Sequence, residues 1–223
     1  MLQVIGDYLV PAIGVALSPM AIVGFILMLV SAGGMPKAWG FIAGWAVGTG
    51  VVLVIVGALV SGTENDTGDA NNAILGWIRI LFGLGMAFLA WHTWQGRPAE
   101  GETPTLPGWM QAMDIVTPVK AVGLGVMLSA LNPKNLPLII TAAGVIGQAN
   151  LNGAETVACY LIFIVLACLG MLIPIGIFLA AGEKGAAILD GTRTWLVNNN
   201  ATIMAVLFLI LGVSLVGKGL GSF

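Results

Sequence analysis

The chain reads as long apolar runs separated by short polar links. Runs with few or no charges cover Tyr8 to Pro36, Ala38 to Thr63, Ala73 to Gly96, Val119 to Asn152, Thr156 to Gly182 and Thr194 to Gly217. Arg79 interrupts the third, and Lys120 and Lys134 interrupt the fourth. At about 1.5 Å per residue, each run is long enough to cross a hydrocarbon layer of ~30 Å. Backbone amides in lipid must be paired within their own segment, so each run predicts a helix. The expected fold is an all-α integral membrane protein with six transmembrane helices.

The links set the expected organisation. Gly33-Gly34-Met35-Pro36-Lys37 predicts a tight turn, Gly62 to Asn72 is acidic, Gly147 to Gly153 is small and uncharged, and Glu183 to Asn200 predicts a polar link. The longest link, Gly96 to Pro118, divides the chain nearly in half. Residues 1–96 and 119–223 are then two three-helix units, with 97–118 as the linker. In that linker Trp109, Met113 and Val116 recur at i, i+4 and i+7, the spacing of a short surface helix; a proline-bounded loop with one anchoring Trp fits as well.

The halves resemble each other. Gly14-Val15-Ala16-Leu17-Ser18 precedes Pro19 as Gly125-Val126-Met127-Leu128-Ser129 precedes Asn132-Pro133, and Leu81-Phe82 matches Leu207-Phe208. A three-helix unit written twice enters the membrane from opposite sides the second time. This is the inverted-repeat plan of many secondary transporters, with broken helices at corresponding positions near the midplane. The first and fourth helices are expected to break in mid-span.

Composition and charge narrow the classes. With 58% hydrophobic and 8% charged residues and a mean hydropathy of +1.02, the chain lies far outside soluble composition. A net charge of −2 and scattered Lys and Arg give no basic patch, so nucleic acid is not an expected partner. Cys159 and Cys168, nine apart in one run, fall on opposite helix faces and read as packing residues. Residues 1 to 8 have an acid and no Lys or Arg, unlike a cleaved signal peptide. Lys37, Arg97, Lys120, Lys184 and Arg193 fall on one side of the six-helix plan, Arg79 and Lys218 on the other. The excess predicts the first side to be cytoplasmic, with both termini outside. Trp91, His92 and Trp94 then form an aromatic belt at the cytoplasmic end of the third helix, His92 serving as an interfacial residue or a proton relay.

Lys134 is the costliest residue in the chain. It lies fourteen residues past Lys120, about 21 Å of helix, and therefore near the membrane centre. A charge there costs ~2.5–3.5 kcal/mol on insertion scales and marks a functional site by default. Pro133 and Pro137 each remove a backbone donor and should unwind the helix between Leu131 and Pro137. Asn132, Pro133, Lys134 and Asn135, facing Ser18 and Pro19, form the candidate binding or translocation site. A purely structural kink, with the Asn side chains and Lys134 bonded to backbone, is the alternative. Arg79 is a further candidate, as site residue or snorkelling anchor. Gly40, Gly44 and Gly48 form a small-residue stripe for close helix packing, or a sliding surface. No acid lies deep in a span, so no carboxylate relay, catalytic pair or metal site is expected; neither enzyme activity nor a cofactor is implied.

Leu17-Ser18-Pro19-Met20-Ala21-Ile22, Gly40-Phe41-Ile42-Ala43-Gly44-Trp45, Leu106-Pro107-Gly108-Trp109-Met110 and Leu128-Ser129-Ala130-Leu131-Asn132-Pro133-Lys134-Asn135-Leu136 together resemble the GAP family of the lysine-exporter superfamily. These are glycolipid-addressing proteins of mycobacteria and related actinobacteria, including those tied to glycopeptidolipid and sulfolipid. The resemblance implies a six-helix transporter that moves cell-envelope lipids across or out of the inner membrane. Its partners would be a lipid or glycolipid substrate, the bilayer, and a homodimer or larger lipid-export machinery. An exporter of small solutes such as amino acids or cations, and a non-transporting scaffold of a glycolipid-export complex, are the alternatives. Coupling is open between passive translocation, a role for Lys134, and a partner protein.

Overall fold

The computed structural model describes residues 1–61, 69–98, 113 and 116–221, without the side chains of residues 61, 69–75, 78, 79 and 183. The elements are α1 (Leu2–Ala16), α2 (Pro19–Val30), α3 (Gly34–Ser61), α4 (Asp69–Gln95), α5 (Pro118–Ala130) and α6 (Asn135–Gly147), followed by α7 (Gly153–Gly182) and α8 (Lys184–Leu220). No strand occurs among the described residues. Three helices, α3, α7 and α8, are long and apolar enough to cross a membrane, and the bent α1–α2 pair makes a fourth when counted as one span. The expected six crossings thus exceed the three or four that length and composition of the described helices show. The surface helix expected around Trp109 lies outside the described residues, apart from Met113 and Val116, both buried.

The chain divides into two compact units, one from Met1–Gly62 and Leu106–Thr194, the other from Thr63–Thr105 and Trp195–Phe223. In the first, α3 and α5 pack backbone to backbone. A Cβ on Gly40 would meet the Pro118 carbonyl at 2.7 Å, one on Gly44 would collide with the Val122 carbonyl, and one on Gly48 would meet the Val126 carbonyl at 2.9 Å. The partners advance by four on both helices in the same sense, so α3 and α5 run parallel. Phe25, Phe41 and Trp45 seat α2 on α3, with ring centroids 5.8 and 5.9 Å apart. Tyr8 ties α1 to α7: its ring meets Phe163 edge-on at 5.7 Å, and its hydroxyl donates to the Cys159 carbonyl at 3.2 Å. Cys159 and Cys168 are free and buried, as packing residues should be.

The polar link expected over Glu183 to Asn200 is instead largely helix. Its polar side chains bond back to the preceding turn: Thr192 Oγ1 to Ile188 O at 2.9 Å, Thr194 Oγ1 to Asp190 O at 3.0 Å and Asn199 Nδ2 to Trp195 O at 2.9 Å. Arg193 pairs with Asp190 at 3.2 Å. The turn needs one residue only, Gly182, whose φ of 52° and ψ of −126° suit a residue without a Cβ. Composition alone therefore misjudged this segment: it is polar, but nothing in it stops a helix.

In the second unit, α4 and the Trp195–Leu220 part of α8 pack antiparallel. A Cβ on Gly83 would meet Gly212 O, and one on Gly219 would meet Gly76 O, each at 2.8 Å. Trp91 and Trp94 are exposed, His92 lies beside Phe88 with ring centroids 6.4 Å apart, and the Arg97 guanidinium sits 4.1 Å over the Trp94 ring.

Candidate functional site

Two helix breaks build the candidate site, and proline causes both. Pro19 is the first residue of α2, where its missing N–H is no loss, and its ring bars Ser18 from helical geometry (φ −112°, ψ 83°). The helix pair bends by 56° there. Pro133 likewise holds Asn132 out of α5, which ends at Ala130. Asn132 then starts the next helix: its carbonyl accepts from the Asn135 and Leu136 amides, both at 3.0 Å, and its Oδ1 accepts from the Lys134 amide at 2.9 Å. The unwound stretch stops at Lys134, short of the expected Pro137, because Pro137 falls in the first turn of α6, where amides have no helical partner.

The carbonyls freed by these breaks find specific side chains. Lys134 Nζ donates to Gly14 O at 2.6 Å and to Leu17 O at 2.7 Å. Ser18 Oγ donates to Val15 O at 2.9 Å and lies 3.2 Å from Asn135 Oδ1, while Asn135 Nδ2 donates to Leu128 O at 3.1 Å. Lys134 and Ser18 are 3% exposed and Asn135 is fully buried. The structure thus brings Ser18, Lys134 and Asn135 into one network, with Pro19 buried beside it, Asn132 half-buried and Pro133 exposed. The side chain of Arg79 lies outside the described residues.

Energetically the network is nearly self-balancing. Two hydrogen bonds from a charged donor are worth roughly 3–6 kcal/mol in total, against ~2.5–3.5 kcal/mol for placing the charge at the membrane centre. The C-terminal end of α1 also carries the negative end of its dipole toward the cation. Among the described residues no carboxylate reaches Nζ, so the cation is held by neutral groups alone. Replacing Ser18 with alanine should leave Val15 O unpaired and cost about 1–3 kcal/mol; a lowered melting temperature in detergent would register it.

Trp45 Nε1 and Thr49 Oγ1, one turn apart on α3, are buried with no partner among the described residues. In the sequence a Trp and a Thr within an apolar run carry no signal of a site. Gly48, next to Thr49, faces the buried Ser129, whose hydroxyl a Cβ there would strike. Tyr8 was also overlooked, although a lone phenol in an apolar run was a readable signal.

Residues 8–221 match the model of a protein family described as Sap, sulfolipid-1-addressing protein. No curated protein matches the chain, and no solved structure does.

Proposed function

The chain belongs to the sulfolipid-1-addressing protein family, and on that premise we propose an inner-membrane transporter that carries cell-envelope lipids or glycolipids outward. The observation that carries this reading is Lys134: a buried cation at a helix break, held by two carbonyls at 2.6 and 2.7 Å and, among the described residues, by no anion. A sulfate, phosphate or carboxylate head group would gain more from this ammonium than neutral carbonyls do, because charge-assisted bonds between ions are the stronger kind. Head-group entry would displace the Gly14 and Leu17 carbonyls and release α6 from α1. The latch is also the gate in this mechanism, so substrate binding and opening are one event. The Trp45 and Thr49 donors, which have no partner among the described residues, offer a passing head group further bonds.

We read the architecture as six crossings in two inverted repeats, residues 1–96 and 119–223 joined by 97–118, within the glycolipid-addressing group of the lysine-exporter superfamily. Two features support it. Both halves open on a helix broken at proline, α1–α2 and α5–α6. Parallel α3 and α5 also fit a plan in which the chain between them crosses once more. In this reading both termini lie outside, and the protein has no catalytic role of its own. Surface-exposed and internal envelope lipids, compared with and without the gene, test it. Substrate retained inside the cell on deletion is the expected result; unchanged lipid distribution would remove the proposal.

A further inference from the structure

A second polar feature lies at the far end of α6. A cleft of about 360 Å³ opens where α3 ends and α7 begins, lined by Gly57, Gly147, Asn150, Leu151, Thr156 and Tyr160 among others. α6 connects it to the Lys134 network: its 13 residues span about 20 Å at 1.5 Å per residue. The cleft therefore sits at a helix-end level while Lys134 sits deep.

Its chemistry differs from that of the Lys134 network. Among the described residues no charged side chain lines it; an amide, two hydroxyls and one aromatic ring do, against apolar walls from Val54, Ile146 and Leu151. Tyr160 reaches across from α7 to α3, where its hydroxyl lies over Gly57 and a Cβ would strike it. The space exists because position 57 has no side chain. Asn150 is the one residue other than glycine with positive φ among the described residues, at 46°. Asn tolerates this conformation better than most residues, yet it still stores strain of the kind found where a side chain is aimed for use. Thr156 spends its proton on Asn152 O at 3.0 Å and keeps its lone pairs for an incoming donor.

The geometry points to a binding site for an uncharged polyhydroxyl group, the sugar portion of an amphiphile, at the mouth of the first unit. Hydroxyl-rich ligands both donate and accept, and the amide and the two hydroxyls that line the cleft answer both needs. The flanking apolar residues and the Tyr160 ring take the carbon face of a sugar ring. The site rests on the transporter reading and deepens it. Lys134 handles an anionic group, the cleft handles a neutral glycan, and α6 sets the spacing between them.

The test uses the full chain in nanodiscs and a diazirine-bearing octyl glucoside as probe. Photolabelling should concentrate on residues 54–58 and 146–160. Excess octyl glucoside should compete it away, and octyl sulfate should not. Asn150→Gly preserves the positive φ and removes the amide, so it should cut labelling by roughly three- to tenfold, the equivalent of one or two lost hydrogen bonds. Lys134→Gln should leave labelling unchanged, which separates this site from the transport reading: labelling can persist in a protein that moves no lipid. Labels spread evenly over the membrane-facing helices, equal competition by octyl sulfate, or full labelling of Asn150→Gly would each overturn the assignment.

Discussion

Replacing Gly44 with valine is expected to cost about 3 kcal/mol or more and to prevent α3 and α5 from closing. The glycine has no room for a first side-chain atom: a Cβ would collide with the Val122 carbonyl and lie 2.9 Å from the Val122 Cα. These are backbone atoms of a helix, so no rotamer change relieves the overlap, and overpacking that cannot relax is costly. In a membrane the loss is compounded, because helix association depends on this close van der Waals contact rather than on escape from water. Gly125 meets α3 from the other side, where a Cβ would collide with the Phe41 carbonyl. A thermal-unfolding series in detergent should place Gly44→Val far below wild type and Gly44→Ala between them. A valine variant that melts like wild type would show that the two helices are not packed this way.

The second large effect is functional. Lys134→Gln should keep the fold and reduce transport by about tenfold or more, the factor that corresponds to ~1.4 kcal/mol. Glutamine retains two hydrogens to offer, so the Gly14 and Leu17 carbonyls need not both lose their partner. What it lacks is the charge, and with it the preference for an anionic head group over a carbonyl. Since burying the lysine is close to energetically neutral, removing the charge should change the melting temperature little. Melting and lipid flux measured on one preparation separate the two roles: a variant that unfolds early makes Lys134 a structural pin, and full flux makes it irrelevant to transport.

How much of this was readable beforehand depends on the kind of signal. The breaks at Ser18-Pro19 and Asn132-Pro133 were legible because proline acts locally: it bars the preceding residue from helical geometry whatever surrounds it. The convergence of Ser18, Lys134 and Asn135 was half legible. Spacing put the groups at similar depth, but that Lys134 would hold α1 carbonyls rather than stand free needs the fold. Pro137 was misjudged because its effect depends on where the helix restarts, which Asn132 decides through its own carbonyl and amide. The segment after Gly182 was misjudged because a polar composition was taken for a helix stop. The cleft beside Tyr160 was invisible, since nothing in the sequence joins Gly57 to Tyr160 until α3 and α7 are side by side.

The central claim is that an anionic amphiphile passes by taking Lys134 from its carbonyls. The most direct measurement compares two fluorescent lipids with identical tails, one bearing a sulfate head and one a choline head, in vesicles containing the purified protein. The account predicts that the sulfated lipid crosses at least about tenfold faster than the choline lipid. Equal rates for the two, or no movement of either above protein-free vesicles, would contradict it.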